Sequence, residues 1–272
     1  MQGKEQNVTI PAGVKIKQAV LQGKAFWQGG NLVKVGSSNT DITAIIRSSV
    51  KPSETIIEDS KHLWSISDSE YPVYFWIEGS ILKYWTEANK ILLSSDSSQM
   101  FMSWSVLSDI SGIRDFETNN VTNMDLMFVS CTAITDLSAI ENWDTSKVTS
   151  MYAMFNNDKF TEANLSKWNT SNVNNMNGMF SNCQNLKSIN LSNWDTSNVT
   201  GMNAMFGDCS MLKNIYVSNT FVTTAVTDST RMFNNCTSLV GGDGTTFDST
   251  KIDKTYAHID GGTSNPGYFT AK

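Results

Sequence analysis

Four cysteines, two histidines and a recurring acidic position are the residues whose types could do chemistry here. Cys131, Cys183, Cys209 and Cys236 each follow a phenylalanine by three residues. Four thiols could hold a metal ion or pair as disulfides. Zinc sites usually offer close pairs such as C-x₂-C, whereas these cysteines are separated by 26 residues or more. Asp158 and Trp104 occupy the same slot elsewhere, so the slot accepts residues of other chemistry. The pattern therefore predicts buried, reduced thiols and no metal site. Asp144, Asn169 and Asp195 form a second column, with Glu117 in the same slot. A calcium ladder is one reading; a ladder of hydrogen-bonded turns is the other, and Asn169 and Glu117 favour it. Trp143, Trp168 and Trp194 could grip a sugar from solvent, but their recurrence reads as a stacked column. His62 and His258 sit in no motif with a nucleophile and an acid, and no glycine-rich phosphate loop follows a strand. No catalytic residue and no cofactor are expected.

These columns exist because the chain repeats. Met-Phe pairs fall at Met100-Phe101, Met127-Phe128, Met154-Phe155, Met179-Phe180, Met205-Phe206 and Met232-Phe233, at intervals of 25 to 27 residues. A fixed period in the twenties marks a solenoid whose rungs cannot bury their apolar faces alone. In the copy around residue 190, Leu186-x-x-Ile189-x-Leu191 has the spacing of a leucine-rich-repeat strand, with Ile189 and Leu191 on one face. Trp194-Asp195-Thr196-Ser197 turns the chain, with Thr196 or Ser197 as a helix N-cap. Val199, Met202, Met205 and Phe206 then follow at the spacing of one face of a short helix. Val148, Met151, Met154 and Phe155 keep the pattern, as do Val173, Met176, Met179 and Phe180. These residues and the four cysteines are the expected core. By alternation, Ser188, Asn190 and Ser192 face outward, and Asn214, Tyr216 and Ser218 do the same one copy later. A tyrosine amid asparagine and serine suits a protein- or glycan-reading surface.

The run W-D-T-S-x-V-T-x-M-x-x-M-F-x-x-C resembles the repeat of the BspA-like leucine-rich bacterial surface proteins, also catalogued as a domain of unknown function in mycoplasmas and Firmicutes. The tail from Tyr256 through Asp260 to Thr270, and the Tyr71–Trp76 segment ahead of the repeats, are similar to segments of that family. The resemblance covers roughly residues 60–272. It implies an adhesin-like solenoid with no catalytic residues.

The expected architecture is an α/β solenoid of about six rungs: a right-handed leucine-rich-repeat coil with parallel strands and short helices. Residues 1–60 read as a small β-rich module and linker, and residues 61–272 as the solenoid with its caps. In the module, strands at Val14–Lys17 and Leu32–Val35 flank a Gln28–Asn31 turn, and Ile45–Ser69 is an extended connection. Val73–Ile77 and Ile81–Trp85 flank Glu78-Gly79-Ser80, a strong hairpin signal. That hairpin, residues 71–86, caps the first rung; repeats run over 94–240 and a C-terminal cap over 241–272.

Composition fits this reading. Only 17% of residues are charged, which suits an extracellular or virion protein solvated by neutral polar groups. A net charge of −6 supplies no basic stripe for nucleic acid, and no apolar run approaches a membrane span. Met1–Asn7 has no signal-peptide pattern. The expected function is extracellular, cell-surface binding of a protein or glycan. The alternative is a phage or other virion component whose N-terminal module docks to the particle.

Overall fold

The computed structural model describes residues 18–21, 35–65 and 69–272. Its strands are β1 (Gln18–Val20), β2 (Ala44–Arg47), β3 (Tyr74–Glu78), β4 (Ile81–Trp85), β5 (Lys90–Leu92), β6 (Phe116–Glu117), β7 (Glu162–Asn164), β8 (Ser188–Asn190), β9 (Asn214–Val217) and β10 (Phe269–Ala271). Three sheets result: β1-β5-β6 and β10-β9-β8-β7, both all parallel, and β2-β4-β3, in which the hairpin β3-β4 is antiparallel.

The hairpin forms where its sequence places it. Glu78 pairs with Ile81 across a two-residue turn, and Gly79 takes φ +62°, a conformation that glycine adopts at no steric cost. Residues 45–69 are more structured than the expected extended connection. They contain most of β2, the helix α1 (Glu54–Glu58) and a 3₁₀ turn at Ser60–His62. β2 joins β4 and β1 joins β5. Residues on both sides of position 60 thus share sheets and one core, in which Ala19, Leu21, Ile42 and Ile45 pack with the rest. The expected separate module at 1–60 is not seen in the described residues. The Val14–Lys17 strand, the Gln28–Asn31 turn and Leu32–Lys34 lie outside them.

From Met100 to Phe233 the copies lie one on the next. Adjacent phenylalanine rings from Phe101 to Phe233 have centroids 5.1, 5.6, 5.7, 5.7 and 5.9 Å apart, all stacked. Every expected core methionine, valine and cysteine is fully buried.

The short helices are the main correction. Val199–Phe206 and its equivalents are turns. The residue before the methionine of each Met-Phe pair and the second residue after its phenylalanine take positive φ, as at Ala204 (49°) and Asp208 (63°). This ribbon points alternate N–H groups at the next copy. Met176, Gly178, Phe180 and Asn182 donate to the carbonyls of Gly201, Asn203, Met205 and Gly207 at 2.7–2.9 Å. The physical reason is spacing. A two-turn helix would leave its end groups unpaired, and its ~10 Å diameter does not fit copies stacked at a strand spacing of about 4.8 Å. The ribbon pairs the same groups between copies.

The expected N-cap is replaced as well. Thr118, Thr145, Thr170 and Thr196 each donate their hydroxyl to a carbonyl of the next copy, at 2.6–2.9 Å.

Candidate functional site

The outward residues of β7, β8 and β9 come into line because the strands pair in register. Asn164 lies beside Asn190, and Asn190 beside Tyr216. The Asn190 amide donates to Asn164 Oδ1 at 2.8 Å, and Asn190 Oδ1 accepts the backbone N–H of Ser192 at 3.2 Å. Each asparagine is thus oriented by its neighbours. Lys272 Nζ stands 5.1 Å from the centre of the Tyr216 ring, a cation–π contact.

A groove of about 490 Å³ lies over this face. Its floor carries Glu162, Asn164, Ser188, Asn190 and Tyr216, and its wall is Thr135–Ser138 with Glu141. The wall exists because the sheet is interrupted there. An Asx turn stands there, with Asp136 Oδ1 accepting the Ser138 N–H at 2.8 Å, and no strand forms between β6 and β7. Asp136 and Glu162 are exposed, and Glu141 is held by Lys167 at 3.2 Å.

Of the six expected binding residues, Ser188, Asn190 and Tyr216 meet on the groove. Asn214 sits in register beside Ser188 without lining it. Ser192 is engaged locally with Asn190. Ser218 pairs with Thr220 at 2.8 Å, beside a separate shallow depression. Sequence reasoning missed Asn164, the acidic wall and Lys272. The Asp136-x-Ser138 turn signal was the available clue.

The other candidate columns are structural. All four thiols are free and buried. Each S–H donates to the phenylalanine carbonyl of the preceding copy at 2.9–3.0 Å: Cys131 to Phe101, Cys183 to Phe155, Cys209 to Phe180 and Cys236 to Phe206. Burial pushes the Cys236 thiol up to about 12 and those of Cys131 and Cys183 well above the usual thiol range. These groups are poor nucleophiles. Asp158, in the same slot, is 1% exposed, and its Oδ1 accepts the Cys131 N–H at 2.7 Å. Burial, then the Cys183 thiol, drives its carboxyl well above the ordinary carboxylate range.

Asp144, Asn169 and Asp195 accept the N–H of Ser146, Ser171 and Ser197 at 2.9, 3.1 and 2.9 Å. Those serine hydrogen bonds hold both aspartates below their usual pKa. Trp143, Trp168 and Trp194 are buried, so none offers a face to a sugar from solvent. His62 and His258 each use Nδ1 on a backbone carbonyl, of Phe75 at 2.7 Å and Ile259 at 2.9 Å.

In the C-terminal cap one carboxylate organises the backbone. Asp260, 6% exposed, accepts the N–H groups of Asp243, Thr245, Gly262 and Gly267 and the Thr245 hydroxyl. Burial works to raise its pKa, but these hydrogen bonds outweigh it and bring the group down to about 2.

Residues 95–190 and 158–264 match the family described as "Mycoplasma protein of unknown function, DUF285", in two overlapping stretches covering more than half of the chain. The chain belongs to that family. No curated protein and no solved structure matches it.

Proposed function

We propose that the chain is a BspA-like leucine-rich-repeat solenoid working as an extracellular, adhesin-type binding protein that captures a protein or glycan and catalyses nothing. One observation carries this reading: Asn164, Asn190 and Tyr216 stand in register on one outward face, at the floor of a groove of about 490 Å³. A fixed tyrosine ring supplies contact area at low entropic cost. Oriented asparagine amides and the carboxylates of Asp136 and Glu162 supply hydrogen bonds to hydroxyl or amide groups. The family assignment and the low content of charged residues support a surface setting.

The test is adhesion to host cells and binding to a glycan array by Tyr216→Ser and Asn190→Ala. Both positions are half-buried rather than core, so both variants should melt like the parent. Binding reduced about tenfold or more in either variant supports the face; parental binding by both would move the site elsewhere.

A further inference from the structure

The sheet β10-β9-β8-β7 ends on an open strand edge. Elsewhere outer edges are met by other segments. Bridges join Leu21, beside β1, to Ser65; Ala44 of β2 to Asp109; Tyr74 of β3 to Leu63; and Phe269 of β10 to Ile259. β7 pairs with β8 on one side and has no strand or bridge on the other among the described residues. Its backbone directions are fixed by its bonds. The Thr161 carbonyl accepts the Lys187 N–H at 2.7 Å, and the Leu165 N–H donates to the Asn190 carbonyl at 3.0 Å, both on the β8 side. By strand alternation the N–H and C=O groups of Glu162 and Asn164 point the opposite way. None of these four groups makes a backbone hydrogen bond among the described residues, and both residues are exposed. A row of unpaired backbone groups in solvent is a template for another strand.

The groove of about 490 Å³ lies on this edge, with residues 135–138 as its wall. An extended residue fills about 160 Å³, from a rise of about 3.3 Å, a strand spacing of about 4.8 Å and a sheet spacing of about 10 Å, so the groove takes about three residues. That is the length of β7. Charge narrows the occupant. The Glu162 carboxylate makes no hydrogen bond or ion pair among the described residues. Asp136 stays an anion while it accepts the Ser138 N–H and hydroxyl at 2.8 and 2.9 Å. Glu141 is offset by Lys167, and Lys272 stands over Tyr216, on the far side of β8 from this edge. The open edge is therefore acidic. A second copy of it would set Glu162 against another carboxylate, and a neutral glycan would leave both anions without a counter-charge.

We propose that an extended segment of a protein partner, bearing lysine or arginine, adds to the free edge of β7 as a fifth strand of this sheet. The backbone groups of Glu162 and Asn164 supply the ladder bonds, and the carboxylates of Glu162 and Asp136 receive the cationic side chains. The proposal rests on the groove reading given above and deepens it, naming the partner as a basic peptide strand rather than a glycan.

Amide hydrogen exchange of the full chain, read by NMR, tests it with a synthetic seven-residue peptide that alternates lysine with valine. The controls are the same peptide with glutamate in place of lysine, two forms N-methylated on alternate amides in either frame, and a hexamer of N-acetylglucosamine. In the free protein the Glu162 and Asn164 amides should exchange fast. The lysine peptide at millimolar concentration should slow both about tenfold or more. The glutamate peptide and at least one N-methylated form should not. Glu162→Gln, an exposed change that keeps the backbone, should weaken the effect about threefold. Fast exchange at both amides with the lysine peptide, equal slowing by the glutamate peptide or by both N-methylated forms, or slowing by the sugar hexamer alone would overturn the proposal. A failed strand and a failed adhesive face give different results: the first leaves these amides fast, and the second leaves adhesion by Tyr216→Ser and Asn190→Ala at the parental level.

Discussion

The ring of Phe180 lies parallel to that of Phe206, 5.7 Å away and inclined by 6°. The same relationship joins each neighbouring copy from Phe128 to Phe233, so deleting one ring removes contacts on two sides. Phe206→Ala should therefore cost about 3–5 kcal/mol in urea denaturation. Phe101 opens the series and has one phenylalanine neighbour. Yet it is fully buried, with Phe128 stacked on one face and the edge of Trp104 against it. Phe101→Ala should match Phe206→Ala to within about 1 kcal/mol. A much smaller loss would show that the hairpin does not seal the first copy.

Thiol accessibility gives a second prediction. All four cysteines are buried, and burial raises the pKa of Cys131, Cys183 and Cys236, so a thiol reagent at neutral pH should label none of the four in the native protein. Labelling should follow the global unfolding curve on addition of denaturant. Rapid native labelling of Cys183 or Cys209 would contradict the closed ladder.

Asp158 is a carboxyl in a thiol slot. Its folded pKa is raised above its unfolded value, so its contribution is fully present below about pH 4 and is lost as pH rises through the folded pKa. Asp158→Asn should flatten this dependence. Asp158→Cys should stabilise the protein by about 1–2 kcal/mol at pH 7, and less in acid. Melting temperatures of the three proteins from acid to neutral pH check the sign; a benefit of Asp158→Cys that is larger in acid would refute it.

Asp260 has the opposite sign. With a folded pKa of about 2, its contribution is present above about pH 4 and lost as pH falls through about 2. Asp260→Ala leaves several buried N–H groups without an acceptor and should cost about 3 kcal/mol. Hydrogen exchange at Asp243, Thr245 and Gly267 should accelerate in that variant. Parental protection there would show that the carboxylate does not hold the cap.

Much of the stack was legible in the sequence because its signals are local and repeated. The Met-Phe pairs, the cysteine slot and the Gly79 hairpin each recur or stand beside a turn residue. The helices were misread because Val199, Met202, Met205 and Phe206 satisfy helical spacing while lying on a flat ribbon. A clue was present. Asn157, Asn182, Asp208 and Asn235 recur at one slot with positive φ, and asparagine and aspartate tolerate that conformation best after glycine. Of the groove, the outward residues followed from strand alternation. The wall did not, because it arises where the chain takes the Asp136–Ser138 turn in place of a strand. The close packing of Gly112 on Ile45 was not legible either, because it joins segments far apart in the chain.

The ribbon has an electrical consequence. In each copy four N–H groups, such as those of Met202, Ala204, Phe206 and Asp208, point to the following copy, while few backbone bonds run the other way, as from Thr227 to Thr200. The peptide dipoles of the ribbon therefore add along the stack, as they do along a helix, whereas those of a sheet largely cancel. The positive pole falls at the last copy. There the Phe233 N–H donates to the Ile252 carbonyl, and the next residue in the chain is Asp253, an anion set beside that pole.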